Sequence, residues 1–175
     1  MLQALKRYSL QIIFTLSLLL GLQLPHFLQQ YELRVEAHLA EAELQLAQFQ
    51  SLADAYFDGD LNALIKKHRN SDISLFRDEA DVIEASYLRV QLLQHKMAHI
   101  NEPVWLRLVA LSKEIKQPLF NETWQGYQAN IVLNQQAITI GVILAIVLTL
   151  TVEVFIYFVT YLIKRFFFKP KRQVS

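Results

Sequence analysis

The amino-acid sequence predicts an all-α protein: a two-span transmembrane helical hairpin with an antiparallel, coiled-coil-like helical domain outside the membrane. Two strongly apolar segments, 8–27 and 137–163, lie towards the ends of the 175-residue chain. Each is long enough to cross a hydrocarbon core of ~30 Å as a helix. Between them, apolar residues recur at heptad spacing. The chain has only four Gly and four Pro, which favours long helices.

The predicted organisation has five parts. They are a cytoplasmic N-terminus (1–7), a first transmembrane helix (8–27), an external helical domain (28–136), a second transmembrane helix (137–163) and a basic cytoplasmic tail (164–175). Seven basic and no acidic residues lie outside the spans at the two ends, whereas the middle carries ten basic and fifteen acidic residues. Because cytoplasmic flanks are enriched in Lys and Arg, both termini are predicted to be cytoplasmic. In a bacterium the protein would then be a multi-pass inner-membrane protein with a periplasmic middle domain.

The first apolar segment has a second interpretation, as a cleaved signal peptide. Lys6 and Arg7 precede the apolar run of 10–22, as in the basic and apolar regions of such peptides. No Ala-x-Ala-like cleavage site follows, and bulky residues occupy 22–25 where a peptidase requires small ones. A retained transmembrane anchor is therefore the preferred interpretation.

Two apolar stripes predict that long helices of the external domain pack against each other. The first alternates spacings of four and three and contains Val35, Leu39, Ala42, Leu46, Phe49, Ala53 and Tyr56. The second contains Ile73, Phe76, Ala80, Ile83, Tyr87 and Val90, and continues through the polar Gln94 to Met97. Heptad spacing is typical of helices that cross at a shallow angle. We therefore expect these two helices to be partners.

Turn and cap residues predict how the helices are divided. Residues 60–69 are expected to form a short helix between the two long ones, with Asp60 as its N-cap. The segment 70–72 is expected to end that helix and to cap the next. Pro103 predicts the start of a further helix, and Pro118 its end or a kink.

The segment 119–134 is the least defined by the sequence. It contains Trp124, Gly126 and Tyr127, and both an interfacial loop and a helix are consistent with its composition. Because amphipathic aromatic rings favour the headgroup level of a bilayer, we expect this segment at the outer surface of the membrane.

Four short motifs resemble a known family. They are LPHFLQQYELR at 24–34, HLAEA at 38–42, YFDGDL at 56–61 and TWQGY at 123–127. Their order around the two spans is similar to that in the bacterial membrane family called domain of unknown function 2937, and the resemblance covers nearly the whole chain. It implies an inner-membrane location and no particular activity.

The sequence contains no recognisable catalytic constellation. Cysteine, a Gly-rich phosphate loop and a Gly-x-Ser-x-Gly motif are all absent. His95 and His99 have metal-ligand spacing on a helix, but the pattern lacks a third ligand, so solvated histidines are the simpler interpretation. His38 is expected to pair with a neighbouring carboxylate, Glu36 or Glu41. We predict no enzymatic activity, no cofactor and no metal.

The acidity of the external domain excludes nucleic acid as a credible partner. Its acidic clusters, Glu41 with Glu43 and Asp78 with Glu79 and Asp81, are interpreted as solvated helix faces.

Polar and small residues in the second span predict contacts inside the membrane. Ala137, Gly141 and Ala145 place a small residue at every fourth position, which allows another helix to approach closely. A charge in the hydrocarbon core is costly, so Glu153 is expected to have a polar partner, either Ser17 or its symmetry mate in an oligomer. The alternative is that Glu153 lies near the interface and reaches water.

The basic end of the chain is interpreted first as a simple stop-transfer anchor, and specific contact with the lipid headgroups of an anionic cytoplasmic leaflet is the alternative. Its basic residues are Lys164, Arg165, Lys169, Lys171 and Arg172.

These observations predict a non-enzymatic interaction or scaffold protein that acts through its external helical domain and through self-association as a homo-oligomer, with an unidentified protein partner. The alternative is a sensory or accessory subunit whose helical bundle relays a signal to a separate membrane or cytoplasmic partner. The short tail after the second span leaves no room for an output domain, so such a relay would need that partner.

Overall fold

The computed structural model of the protein describes residues 2–130 and 134–167, and these form six α-helices and no strand. The helices are α1 (Leu2–Tyr56), α2 (Leu61–Arg69), α3 (Ser74–Met97), α4 (Val104–Lys113), α5 (Pro118–Gly126) and α6 (Gln135–Phe167). The all-α prediction is confirmed for these residues. Two of the helices, α1 and α6, are long and apolar enough to cross a membrane.

The chain divides into two compact units. The terminal unit comprises Met1–Phe27 and Gln128–Ser175, and the helical unit comprises Leu28–Tyr127. The first division falls where the sequence places the end of the first span. Helix α1 contributes to both units and continues through Pro25, although the proline removes one backbone hydrogen bond.

The core of the helical unit lies where the C-terminal part of α1 meets α2 and α3. Its buried members are Ala53, Leu61, Leu64, Ile65, Ala80 and Ile83, and Leu46, Phe49, Phe57 and Tyr87 pack against them. Both predicted stripes contribute to it. The first stripe ends one turn earlier than predicted, because Tyr56 is 76% exposed at the last position of α1.

A tight reversal connects α1 to α2. Asp58 and Gly59 adopt positive φ angles of 52° and 83°, which turn the chain after α1. The side chain of Asp60 then accepts hydrogen bonds from the backbone N–H groups of Asn62, at 2.9 Å, and Ala63, at 3.2 Å. The predicted N-cap of α2 is therefore confirmed.

The start of α3 differs from the prediction. Its N-cap position is Ile73, which makes no side-chain cap, so the prediction that 70–72 caps this helix is wrong. The Ser71 hydroxyl instead accepts a hydrogen bond from the Ile73 backbone N–H at 3.2 Å. Near the other end of α3, Leu93 is buried and the predicted stripe member Gln94 is exposed. The buried face has therefore shifted by one residue.

The two short helices α4 and α5 complete the helical unit. Helix α4 begins directly after Pro103, as predicted, and it ends at Lys113, before Pro118. Pro118 is the first residue of α5, where its missing N–H costs no hydrogen bond. Trp124 and Gly126 are therefore helical, and the choice left open for this segment is decided in favour of a helix up to Gly126.

Candidate functional site

A network of charged side chains joins three helices of the helical unit. We call it the His38 network, and its members are Arg34, His38, Glu41, Arg89 and Glu122. On α1, Arg34 donates to a Glu122 carboxylate oxygen of α5 at 2.8 Å, and Nε2 of His38 lies 3.2 Å from the other oxygen. On α3, Arg89 lies 3.3 Å from Nδ1 of His38 and 3.5 Å from Glu41.

The contacts of the imidazole fit one neutral tautomer of His38. An arginine N–H group can only donate, so Nδ1 of His38 acts as the acceptor from Arg89. In that tautomer Nε2 carries the proton, and its N–H group donates a hydrogen bond to Glu122. Burial alone raises the pKa of Glu122, but the hydrogen bond from Arg34 and the interaction with His38 outweigh it and lower that pKa.

A second group of ion pairs joins α1, α3 and α4, and we call it the Tyr31 cluster. Arg107 binds both carboxylate oxygens of Glu32, one of them from Nε at 2.8 Å, and Lys96 pairs with Glu114. The Tyr31 hydroxyl donates to Glu114 at 3.2 Å. Burial, followed by the charge of Glu114 and this hydrogen bond, raises the pKa of Tyr31. The cluster lines a cleft of about 220 Å³, in which its charges neutralise each other.

The histidine pair on α3 makes local contacts. The rings of His95 and His99 pack edge to face with centroids 6.0 Å apart, and Nδ1 of His99 lies 2.8 Å from Glu102. Within residues 2–130 and 134–167, no three His, Asp or Glu side chains are grouped as a metal site.

Sequence reasoning missed the principal partner of His38. Glu41, one of the two predicted partners, lies 3.9 Å from Nδ1, whereas Glu122 is closer and is 84 residues away along the chain. One acidic cluster also has partners on α2: Asp81 forms an ion pair with Arg69 at 3.1 Å, and Glu79 lies 3.5 Å from Nε2 of His68. No local pattern signals these contacts, because both partners must first be placed by helix packing.

In the terminal unit, Glu153 contacts a different residue from the one the sequence suggests. Its carboxylate accepts a hydrogen bond from Nζ of Lys6 at 3.1 Å, and Ser17 is buried but is not its partner. Each side chain of the Lys6–Glu153 pair is nearly half exposed.

Of the predicted lipid-contacting residues, Arg165 is exposed on α6. The side chain of Lys164, and Lys169, Lys171 and Arg172, lie outside the described residues.

The small residues of α6 lie against α1 of the same chain. Ala137 and Ala145 are fully buried. A Cβ atom added to Gly21 would lie only 2.6 Å from the Gly141 Cα atom, and one added to Gly141 would lie 3.2 Å from Leu18. This close approach to backbone requires glycine at position 21, whereas a Cβ at position 141 would need its neighbours to shift by a few tenths of an ångström. The contact occupies the small-residue ridge of α6 at Gly141.

A second heptad stripe on α1, which sequence reasoning missed, is exposed. We call it the outer stripe, and it consists of Leu33, Ala37, Ala40, Leu44 and Ala47, all of them exposed. It is displaced by two residues, about 200° around an ideal helix, from the buried stripe that begins at Val35. Leu33 is 51% exposed and Leu44 is 72% exposed. Helix α1 thus has two apolar faces, and the helical unit covers one of them.

Comparison with protein families gives the identity of the chain. A family model described as protein of unknown function (DUF2937) matches residues 5–165, which is most of the sequence. The chain belongs to this family. The resemblance inferred from the four short motifs is confirmed. No curated protein and no solved structure matches the chain.

Proposed function

We propose that this DUF2937 protein is a membrane-anchored interaction protein, in which α1 and α6 form a two-span hairpin and the helical unit binds a helix of a partner protein. The observation that supports this most directly is the outer stripe of α1. Heptad stripes on a helix surface are typical of faces that pack against another helix. The three alanines allow a close approach, while Leu33 and Leu44 supply apolar contact area.

The charges beside the outer stripe favour a basic partner helix. Glu36 and Glu43 lie one heptad apart along one edge of the stripe. Glu43 accepts a hydrogen bond from the neutral amide of Gln94, and neither carboxylate forms an ion pair in the part of the chain that the structure describes. A helix with Lys or Arg beside its apolar seam would neutralise this edge.

A second copy of α1 fits this stripe less well. Pairing two such helices would bring Glu36 beside Glu41 or Glu43 of the other copy, depending on the helix direction, and like charges at these positions are destabilising. The small-residue ridge of α6 is already covered within one chain, at Gly141 and Ala145. We therefore propose a heterologous partner, with self-association as an outcome that the experiment below distinguishes.

The membrane anchor is supported by contacts between α1 and α6. Lys6, near the start of α1, contacts Glu153, late in α6, whereas Gly21 lies against Gly141 in the first half of α6. These two contacts require the helices to be antiparallel. Together with the basic ends of the chain, they support a hairpin with cytoplasmic termini in the inner membrane of a bacterium and a periplasmic helical unit.

Site-specific photo-crosslinking in native membranes tests the proposed interaction. A photoreactive residue at Ala40, on the outer stripe, should capture a defined helical segment of one partner, and that segment should carry basic residues. The same residue at Gln45, exposed on another face of α1, is the matched control and should not capture it. Reversing the charges with Glu36→Lys and Glu43→Lys should reduce the yield at Ala40. Capture of α1 from a second copy, or equal yields at Ala40 and Gln45, would contradict the proposal.

The continuity of α1 favours one second candidate, a sensory or accessory subunit. Helix α1 contributes residues to both units, so it is the element through which a signal would pass from one to the other. This function requires a partner on the cytoplasmic side. A photoreactive residue at Arg165 should then capture a protein, and loss of that capture when the outer stripe is occupied would favour signal relay over scaffolding.

A further inference from the structure

We propose that His38 is a proton-operated switch for the contact between α1 and α3, in which protonation exchanges the α3 partner of the imidazole for a carboxylate on α1. This regulatory device goes beyond the proposed function and does not depend on the identity of the partner. It rests on the positions of the two ring nitrogens in the His38 network.

In the neutral state, His38 connects three helices. Nε2–H donates to Glu122 of α5, and the lone pair on Nδ1 accepts from Arg89 of α3. The ring is about a quarter exposed, with 28% of its side-chain surface accessible, so a proton can reach it from solvent. The contact with Arg89 exists only while Nδ1 is unprotonated, because a protonated imidazole has no acceptor.

Protonation at Nδ1 changes the partner. The new N–H group faces the guanidinium of Arg89, which also carries donors and a positive charge, so the two groups repel. The Glu41 carboxylate lies 3.9 Å from Nδ1 and can accept a hydrogen bond from the new N–H group. The same carboxylate oxygen lies 3.5 Å from Arg89. The ring therefore loses its contact with α3 and gains one within α1.

The charges around His38 come from each helix that packs against it. They are Arg34 and Glu41 on α1, Arg89 on α3 and Glu122 on α5, and Lys96 of α3 lines the same groove beside the network. The two arginines and two glutamates compensate each other, so the proton adds one uncompensated positive charge. Glu122 keeps its contact with Nε2 in both states, and that contact becomes an ion pair on protonation.

Double-mutant cycles in the full-length protein test this exchange. The only two tryptophans, Trp105 and Trp124, both lie in the helical unit, so tryptophan fluorescence in detergent follows the unfolding of this unit. Thermal midpoints would be measured at about pH 8 and about pH 5, either side of the imidazole range. At the higher pH, the decreases in thermal midpoint caused by His38→Ala and by Arg89→Ala should not add up in the double variant, because the two side chains interact. At the lower pH, this coupling between the two substitutions should vanish or change sign.

The cycle of His38→Ala with Glu122→Ala is the matched control, because its coupling should persist at both pH values. A His38–Arg89 coupling that is the same at both pH values, or absent at the higher pH, would overturn the proposal.

A conservative variant keeps the test decisive if an alanine variant fails to fold. In His38→Gln the amide can donate to Glu122 and accept from Arg89 without titrating, so the pH dependence of the midpoint should decrease. An unchanged pH dependence of the midpoint in His38→Gln would contradict the switch.

Discussion

At the scale of single residues, two side chains secure the helical unit by hydrogen bonds to specific groups. Asp60 satisfies backbone N–H groups at the start of α2, and Tyr31 satisfies a carboxylate that also pairs with Lys96. The first contact is local in sequence, and the second joins α1 to Glu114, the residue directly after α4. Removing either side chain takes one hydrogen bond from its polar partner, and this determines how much the free energy of unfolding should decrease.

The cap of α2 should contribute about 1 kcal/mol to the stability of the helical unit. Asp60→Ala removes the acceptor for the N–H groups of Asn62 and Ala63, and such substitutions cost about 0.5–2 kcal/mol. The free energy of unfolding, measured in urea by tryptophan fluorescence, checks this. Asn62→Ala keeps the backbone donor and is the control, with an expected change within about 0.5 kcal/mol. Equal effects of the two substitutions would exclude a capping role for Asp60.

Tyr31 should make the helical unit sensitive to high pH. Because burial and Glu114 raise its pKa in the folded state, the folded protein retains the phenolic proton at a pH where the unfolded chain releases it. The contribution of this group to stability is therefore complete below about pH 10 and is lost as the pH rises further. Tyr31→Phe should cost about 1 kcal/mol at neutral pH, through loss of the hydrogen bond, but should flatten the decline in stability above about pH 10.

Unfolding free energies on either side of pH ~10 measure this change in slope. The matched control is Tyr56→Phe, since Tyr56 is largely exposed at the end of α1 and should leave the slope as in the parent protein. If the unfolding free energy of Tyr31→Phe falls with pH as steeply as that of the parent protein, Tyr31 is not the group that causes the decline in stability at high pH.

At the scale of secondary-structure elements, α1 and α3 each bury one face and expose another that is also rich in apolar residues. On α3, Ile83 is 1% exposed, whereas its neighbour Val82 is 56% exposed. Alternating exposure of this kind follows from the helical period, since consecutive residues lie about 100° apart. The exposed apolar faces contribute little to folding, and they remain available for contacts with other molecules.

Substitution of these two neighbours should separate folding from surface effects. Ile83→Ala should destabilise the helical unit by about 2–5 kcal/mol, because it leaves a cavity among α1, α2 and α3. Val82→Ala removes a side chain that faces outward and should change stability by less than about 0.5 kcal/mol. Thermal unfolding of the full-length variants measures both effects, and similar losses would contradict the assignment of the buried face.

At the scale of the whole molecule, the distribution of charge defines the expected topology. The ends of the chain carry seven basic and no acidic residues outside the apolar segments, and the helical unit is acidic. Both ends should therefore lie on the cytoplasmic side. A reporter that is active in the cytoplasm should function when fused after Ser175, and one that requires the periplasm should function when inserted at Asn70. Activity of the two reporters in the opposite arrangement would reverse the orientation.

The sequence by itself determined the features that depend on neighbouring residues. The apolar lengths of α1 and α6, the cap at Asp60 and the start of α4 after Pro103 are all properties of short segments. Local rules were less reliable at Pro25, which lies inside α1, and at the start of α3, where Ile73 occupies the cap position.

Only the tertiary structure decided which distant side chains meet. His38 pairs with Glu122, Tyr31 with Glu114, and Lys6 with Glu153, and each pair is separated by more than eighty residues. It also decided that Gly141 lies against Gly21, and that the outer stripe of α1 remains exposed while the stripe beginning at Val35 is covered. The rotation and axial position of each packed helix determine these contacts. A heptad pattern shows that a helix has an apolar face, but it does not specify which residues of another helix lie opposite that face.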